Sequence, residues 1–274
     1  MEKIDHLGWV AGMAFVAYGV RVGIRVNDPG MLDRLPGLFP YGWRPGVSPI
    51  VDRLYSLMIG GGGPRPNVRR FNLLYAGVAR LARTMDLDAV LSLLEADIQL
   101  SVAEAAKRRV FVHAGVVGWG DRAIVLPGPS FCGKTTLVAA LLKAGATYYS
   151  DEYAVFDAHG RVHPYAKPLA IRDELHQVQS PVPAEALGSL PGIKPLPVGL
   201  VVITRYRLGA RWRPRRLSPG QATLALLANT VSARRKPKVV LARLSRVASH
   251  VPVLQGTRGE ADAVVQVLVE NLEG

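Results

Sequence analysis

Apolar residues recur at helical spacing most clearly at Leu87, Val90, Leu91, Leu94, Ile98 and Val102, which predicts a helix over residues 86–107. Asp86 and Asp88 suit its positive N-terminal end, and Lys107, Arg108 and Arg109 its negative C-terminal end. The stripe reads as core rather than as a partner-binding face. Unbroken apolar runs predict buried strands at 110–117, 123–126, 147–149 and 198–204. A helix is expected over 137–144, stopped by Gly145, and two more over 221–229 and 260–272. Nearer the N-terminus, residues 13–26 read as one buried strand, Asn27-Asp28-Pro29-Gly30 as a turn and 54–59 as a strand. Pro36, Pro40 and Pro45 make 35–47 a loop, and 181–197 reads as a proline-rich connection. The sum is an α/β chain without internal repeats.

Composition changes this picture little. A 274-residue chain with 49% apolar and 20% charged residues is ordinary globular material, enough for one large domain or two small ones. The single cysteine, Cys132, excludes an internal disulfide framework and fits a reducing compartment, so a cytoplasmic location is expected. No Cys/His cluster has zinc spacing. Residues 7–20 carry no charge, but the run is shorter than the ~18 residues of a membrane span. Glu2 and Asp5 precede it, against a signal peptide, and no membrane span is expected. The net charge of +13 leaves acidic peptides, nucleotides, nucleic acid and anionic lipid open as partners.

Specific chemistry enters at Gly128-Pro129-Ser130-Phe131-Cys132-Gly133-Lys134-Thr135, which fits G-x-x-x-x-G-K-[ST] without a mismatch. The two glycines permit dihedrals that aim successive N–H groups inward, and the following helix, opening near Thr136, offers its positive end to phosphate. Lys134 would neutralise β and γ phosphates, and the Thr135 hydroxyl could ligate magnesium. The expected cofactors are therefore ATP and Mg2+. Cys132 inside the loop reads as a small residue contributing backbone rather than as a reactive thiol. The run GGGGPRP at 60–66 has no GK[ST] ending and reads as a flexible connector rather than a second phosphate loop.

Two further features bear on the reaction. Asp151 and Glu152 end an apolar strand, where an α/β sheet faces its ligand crevice. One carboxylate could hold magnesium and the other accept a proton from an attacking hydroxyl. His113 lies in an apolar stretch, where a core role is the ordinary reading; stabilising a γ-phosphate is the alternative.

Taken in order, Phe-Val-His113-Ala-Gly-Val-Val, the loop with its Lys134, and Leu-Leu-Lys-Ala-Gly-Ala-Thr-Tyr-Tyr-Ser-Asp151-Glu152 resemble the kinase core of HPr kinase/phosphorylase. The resemblance spans about residues 109–172, with a looser echo to the C-terminus. It implies a P-loop kinase core of the HPr kinase/phosphoenolpyruvate carboxykinase-like type, with a mixed sheet, over 109–274. Residues 1–108 would then be an N-terminal α/β extension packed on the core; they do not resemble the family's own N-terminal domain. By position Asp151 would be the general base, and Glu152 would support magnesium. Thr135 would replace the family's magnesium-binding serine, and His113 would sit near the transferred phosphoryl group. The family's Gly-rich, glutamate-containing signature after the acidic pair is replaced here by His-Pro-Tyr-Ala-Lys-Pro-Leu-Ala-Ile-Arg, ending at Arg172. This departure bears on HPr recognition and phosphorolysis. It makes the chain look closer to divergent HPr-kinase-like proteins that act beside peptide-modification genes.

The expected function is an ATP-dependent kinase of a Ser/Thr hydroxyl on a peptide or protein, a modified precursor peptide among the candidates. A small-molecule kinase and a non-catalytic nucleotide-regulated binding protein are the alternatives. Nucleic acid is disfavoured because no helicase-type motif accompanies the loop, and a homo-oligomer is conceivable from the family. Residues 205–246 are crowded with cations, read either as solvated surface charge or as an anion-binding face. Within them Arg234 and Arg235, in an expected loop with Lys236-Pro237-Lys238, are the candidates for a transition-state cation.

Overall fold

The computed structural model describes residues 3–60, 70–172 and 179–273. The chain divides into two compact units, Met1–Lys107 and Arg108–Gly274.

The first unit contains strands β1 (Ala11–Ala17), β2 (Val20–Val26), β3 (Arg44–Pro45), β4 (Arg53–Met58), β5 (Asn72–Ala76) and β6 (Ala79–Thr84), then helix α1 (Leu87–Ala105). They form a mixed sheet in the order β3-β1-β2-β4-β5-β6, in which only β2 and β4 run parallel. The single strand expected over 13–26 is in fact the β1–β2 hairpin. It reverses at Tyr18 and Gly19, both at positive φ (50° and 80°), as a tight hairpin turn requires. Apolar residues on both arms, Phe15, Val22 and Ile24 among them, concealed the break. The expected loop 35–47 also carries a 3-10 turn, Pro36–Leu38, and β3. The Gly-rich run beyond Gly60 lies outside the described residues.

Helix α1 starts where Asp86 caps it: Asp86 Oδ1 accepts the Ala89 N–H at 3.1 Å. It ends two residues early. Lys107, Arg108 and Arg109 lie outside it, so the expected cationic last turn is absent. Val90, Leu91, Leu94, Ile98 and Val102 bury the predicted stripe against Phe15, Val22, Tyr55 and Leu74 of the sheet.

The second unit contains β7 (Val110–Trp119), β8 (Arg122–Pro127), α2 (Lys134–Lys143), β9 (Thr147–Ser150), β10 (Tyr153–Phe156), β11 (Arg161–His163), β12 (Leu169–Arg172), β13 (Gln179–Val182) and β14 (Leu196–Tyr206). It continues through β15 (Arg215–Arg216), α3 (Pro219–Leu227), α4 (Pro237–His250), β16 (Val253–Arg258) and α5 (Asp262–Glu273). The main sheet runs β11-β10-β7-β8-β14-β16-β15, with β9 beside β7 and β11 also touching β14; β12 and β13 form a separate hairpin. The protein is thus mixed α/β with mixed sheets.

Alternation along the central strands sorts the core into two layers. Ala123, Val125, Val201 and Val253 face one side, where Leu226 of α3 and Val240 and Leu244 of α4 cover them. Ile124, Leu126, Leu200, Val202 and Leu254 face the other, against Leu137 and Leu141 of α2 and Leu268 of α5. Strands covered on both faces read as unbroken apolar runs, which is why β8 and β14 were visible in the sequence. Helix α4 was not expected: its buried stripe of Val240, Leu244, Val247 and Ala248 is masked by the surrounding cations. The connection expected over 181–197 includes the end of β13, a 3-10 turn (Ala184–Leu187) and the start of β14.

Strand polarity fixes where functional groups can gather. β14 runs parallel to β8, and β16 runs parallel to β14. β7 is antiparallel to both β8 and β9, so β9 points the same way as β8. The carboxyl ends of β8, β9, β14 and β16 therefore emerge on one side of the sheet, the side on which ligands bind in open α/β sheets.

A buried acid ties the β10–β11 hairpin. Burial alone would raise the pKa of Asp157. His163 Nε2 at 3.1 Å, the N–H groups of Arg161 and His159, and the Arg161 guanidinium at 3.0 Å overcome this and hold it at about 2. Because the folded-state pKa lies below the free value of 3.8, the stabilisation is complete above that value and disappears as pH falls through about 2. Asp157→Asn should cost about 2 kcal/mol in chemical denaturation at pH 6. The gap between variant and wild type should close as the measurement is repeated toward pH 2.

Candidate functional site

The turn from β8 to α2 is the loop of residues 128–133. Gly128 N–H donates to the His113 carbonyl at 3.3 Å, fastening the loop's start to β7. Phe131 holds φ at 65° and is 78% exposed at the tip. Gly133, the residue before α2, sits at φ 90°, where any side chain would be strained and a Cβ would lie 2.7 Å from Arg258. The helix begins at Lys134, three residues before the expected start, so the loop's last amides are already helical N-terminal donors. Ser130 and Thr136 are exposed, Cys132 is half-buried, and Pro129 opens the exposed stretch.

Lys134 is largely buried and folds back over this loop. Its Nζ donates to the carbonyls of Gly128 at 2.9 Å and Pro129 at 2.7 Å, with Cys132 Sγ at 4.0 Å. Burial lowers its pKa, and the nearby Cys132 and Asp151 partly offset that.

The acidic pair lies at the end of β9, beside the loop. Thr135 Oγ1 donates to Asp151 Oδ2 at 2.9 Å; Asp151 Oδ1 is buried and has no hydrogen-bond partner. Burial pushes the Asp151 pKa up to about 6, against the lowering effects of Thr135, Lys134 and the nearby Ala170 N–H. Glu152 is half-exposed, 3.7 Å from the Lys167 ammonium. Ser150 fixes this turn: fully buried, its Oγ accepts the N–H groups of Glu152 at 3.1 Å and Tyr153 at 3.0 Å.

His113 stands one residue beyond the β8 pairing on β7, opposite Tyr153. Its N–H donates to the Asn229 carbonyl at 2.7 Å, and its own carbonyl receives Gly128. Burial first, and the Lys134 charge second, lower its pKa, so the imidazole is neutral at pH 7. Asn229 and Thr230 run beside β7, and Arg234 and Arg235 follow in an exposed turn. The expected loop ends sooner than read, because Pro237 and Lys238 already belong to α4.

The structure thus brings Lys134, Thr135 and Asp151 together, with Glu152 next in the chain and His113 joined to the loop's first residue. Lys134 and the first amides of α2 could hold a polyphosphate. The orphaned Asp151 oxygen beside a Thr hydroxyl suits a hard cation such as magnesium, which needs only one or two protein ligands when phosphate supplies others. Among the described residues no group of three or more His, Cys, Asp or Glu is placed to hold a metal alone. No helix among them is long and apolar enough to cross a membrane.

Two contributors escaped the sequence. Ser150 looked like a strand residue; a small hydroxyl just before an acidic pair was the available signal. Arg258 sits at the end of the unpredicted strand β16, and no local pattern links it to a loop 125 residues away.

Comparison with solved structures finds similarity to the HPr(Ser) kinase/phosphatase from Coxiella burnetii, at 15% identity over 60% of this chain and 99% of that chain, with a TM-score of 0.35. A likeness at that level carries no argument about activity. No family model and no curated protein matches the chain.

Ser150→Ala should remove the hydroxyl acceptor shared by the Glu152 and Tyr153 N–H groups and cost about 1–3 kcal/mol. Urea denaturation measures this, and the loss should be restored by Ser150→Thr only where the extra methyl fits.

Proposed function

We propose that the protein is an ATP-dependent phosphotransferase, built on a P-loop core of the HPr kinase-like type, acting on a Ser or Thr hydroxyl of a peptide or protein. The observation that carries the reading is the 2.9 Å contact between Thr135 Oγ1 and Asp151 Oδ2, with the second Asp151 oxygen buried and unpartnered. A loop that only turned the chain would have no use for a carboxylate held there at the cost of its own desolvation.

In this reading the backbone N–H groups of residues 130–135 cradle the phosphates, and Lys134 leaves the Gly128 and Pro129 carbonyls for the β and γ oxygens. Magnesium, when bound, neutralises phosphate charge; Thr135 would hold it, with Glu152 in support, leaving the free Asp151 oxygen for the proton. Asp151 would take the proton of the acceptor hydroxyl through its free oxygen as that hydroxyl attacks the γ-phosphorus and ADP departs. A carboxyl with a pKa near 6 is mostly ionised at pH 7 yet more basic than a free aspartate. Neutral His113 would donate a hydrogen bond to the γ-phosphoryl group. Arg234 and Arg235, in the exposed turn that follows Asn229 and Thr230, would meet the transition-state charge or an acidic acceptor.

The test uses labelled ATP with a panel of serine-containing peptides and free amino acids. Transfer to peptides and not to amino acids is expected from the wild type. Lys134→Ala should lose nucleotide binding. Asp151→Asn should abolish transfer while binding ATP within severalfold of wild type. Normal transfer by Asp151→Asn would sink the base assignment; recovery of that variant by excess magnesium would make Asp151 a metal ligand alone.

A further inference from the structure

Arg258 is the largest fully buried side chain among the described residues, 1% exposed, and it carries a charge. Its partners are all neutral. Nη2 donates to the Gly133 carbonyl at 2.7 Å and Nη1 to the Gly259 carbonyl at 2.8 Å; the guanidinium lies over the Tyr206 ring at 5.6 Å, and Nε has no partner. Among the described residues no ion pair compensates it, and burial pulls even its guanidinium pKa down, with the Glu260 charge opposing. Removing a charge from water without a counter-charge is costly, so an arrangement of this kind calls for a purpose that a neutral side chain could not serve.

The Gly133 carbonyl is the informative partner. It belongs to the same planar peptide unit as the Lys134 N–H, and in a trans peptide the two point in opposite directions. Gly133 O also receives the Leu137 N–H at 3.2 Å, the first helical hydrogen bond of α2. Two donors from different elements, one on α2 and one on β16, therefore hold this carbonyl. With the oxygen fixed, the Lys134 amide is aimed back into the concavity of the loop. Gly133 itself, at φ 90°, has no intrinsic preference that would do this.

We propose that Arg258 is a positioning residue of the phosphate site: it braces Gly133 so that the Lys134 amide stands ready for the β-phosphate before nucleotide arrives. The inference rests on the nucleotide reading above. The guanidinium acts from behind the loop and does not touch the nucleotide. Its uncompensated charge adds a second contribution, since the arriving phosphates bring negative charge to a site that already carries a buried cation. Both effects depend on phosphate and neither depends on the adenosine moiety.

The experiment measures equilibrium binding of adenosine, AMP, ADP and a non-hydrolysable ATP analogue, with magnesium, to the full chain and to Arg258→Lys and Arg258→Met. Thermal denaturation of each protein is recorded in parallel. For Arg258→Met, at least a tenfold loss of affinity is expected for ADP and the ATP analogue, with adenosine changed less than twofold and AMP, which has no β-phosphate, in between. Arg258→Lys keeps the charge but cannot span both carbonyls, so it should lose severalfold on the same two ligands and remain folded. An unchanged ratio of triphosphate to adenosine affinity in folded Arg258→Lys overturns the proposal, even if Arg258→Met fails to fold. So does a uniform loss across all four ligands, which marks a purely structural role. Absence of binding by the wild type overturns the nucleotide reading, and this inference with it; binding by the wild type with flat variant ratios overturns this inference alone.

Discussion

Strands β8 and β14 are buried on both faces through their middle residues, and that double burial governs the second unit. A strand with no solvated face can end only at the sheet's margins, and its backbone groups must find partners there or reach water. Because β8, β9, β14 and β16 share a direction, their carboxyl ends discharge onto one margin. Several unusual groups of the unit are found there: positive φ at two of three successive residues, a buried lysine, a half-satisfied aspartate and an arginine held only by carbonyls.

The contacts at this margin form a connected set. β7 supplies the carbonyl that starts the loop, α2 supplies Lys134 and Thr135, β9 delivers Asp151, and β16 delivers Arg258. Each was placed by packing far from the margin, through the alternation that sends Val125 and Ile124 to opposite layers. Displacement of α2 along the sheet would therefore move Thr135 against Asp151 and Gly133 against Arg258 together. Apolar packing on both layers sets the precision of the polar geometry.

How much of this the sequence disclosed follows from the range of the interactions. The loop is a local object, eight consecutive residues with dihedral and charge requirements that only certain side chains meet, and it was legible. So were β7, β8 and α1, whose apolar periods are long and unbroken. The β1–β2 hairpin was read as one strand because Tyr18, a bulky residue at positive φ, gives no turn signal. Helix α4 was hidden by Lys238, Arg243 and Arg246 interleaved with its narrow apolar stripe. Asp151 was legible as a strand-end acid, but its unequal oxygens depend on Thr135, which reaches it only in three dimensions. Arg258 was beyond reach for the same reason: an arginine after Leu-Gln-Gly-Thr looks like a surface residue until β16 is laid beside β14.

The lysine resting on Gly128 and Pro129 has a consequence for how an anion would enter. Its ammonium is already desolvated and already satisfied by two carbonyls. An incoming phosphate would exchange partners with it and not strip water from it. Exchange replaces two neutral acceptors with a charged one, so the gain lies in charge neutralisation more than in the number of hydrogen bonds. On the proposed reading the cradle would discriminate by the charge of its guest: a neutral oxygen of the same shape would displace the carbonyls for almost no return, whereas a polyanion would gain from the same displacement.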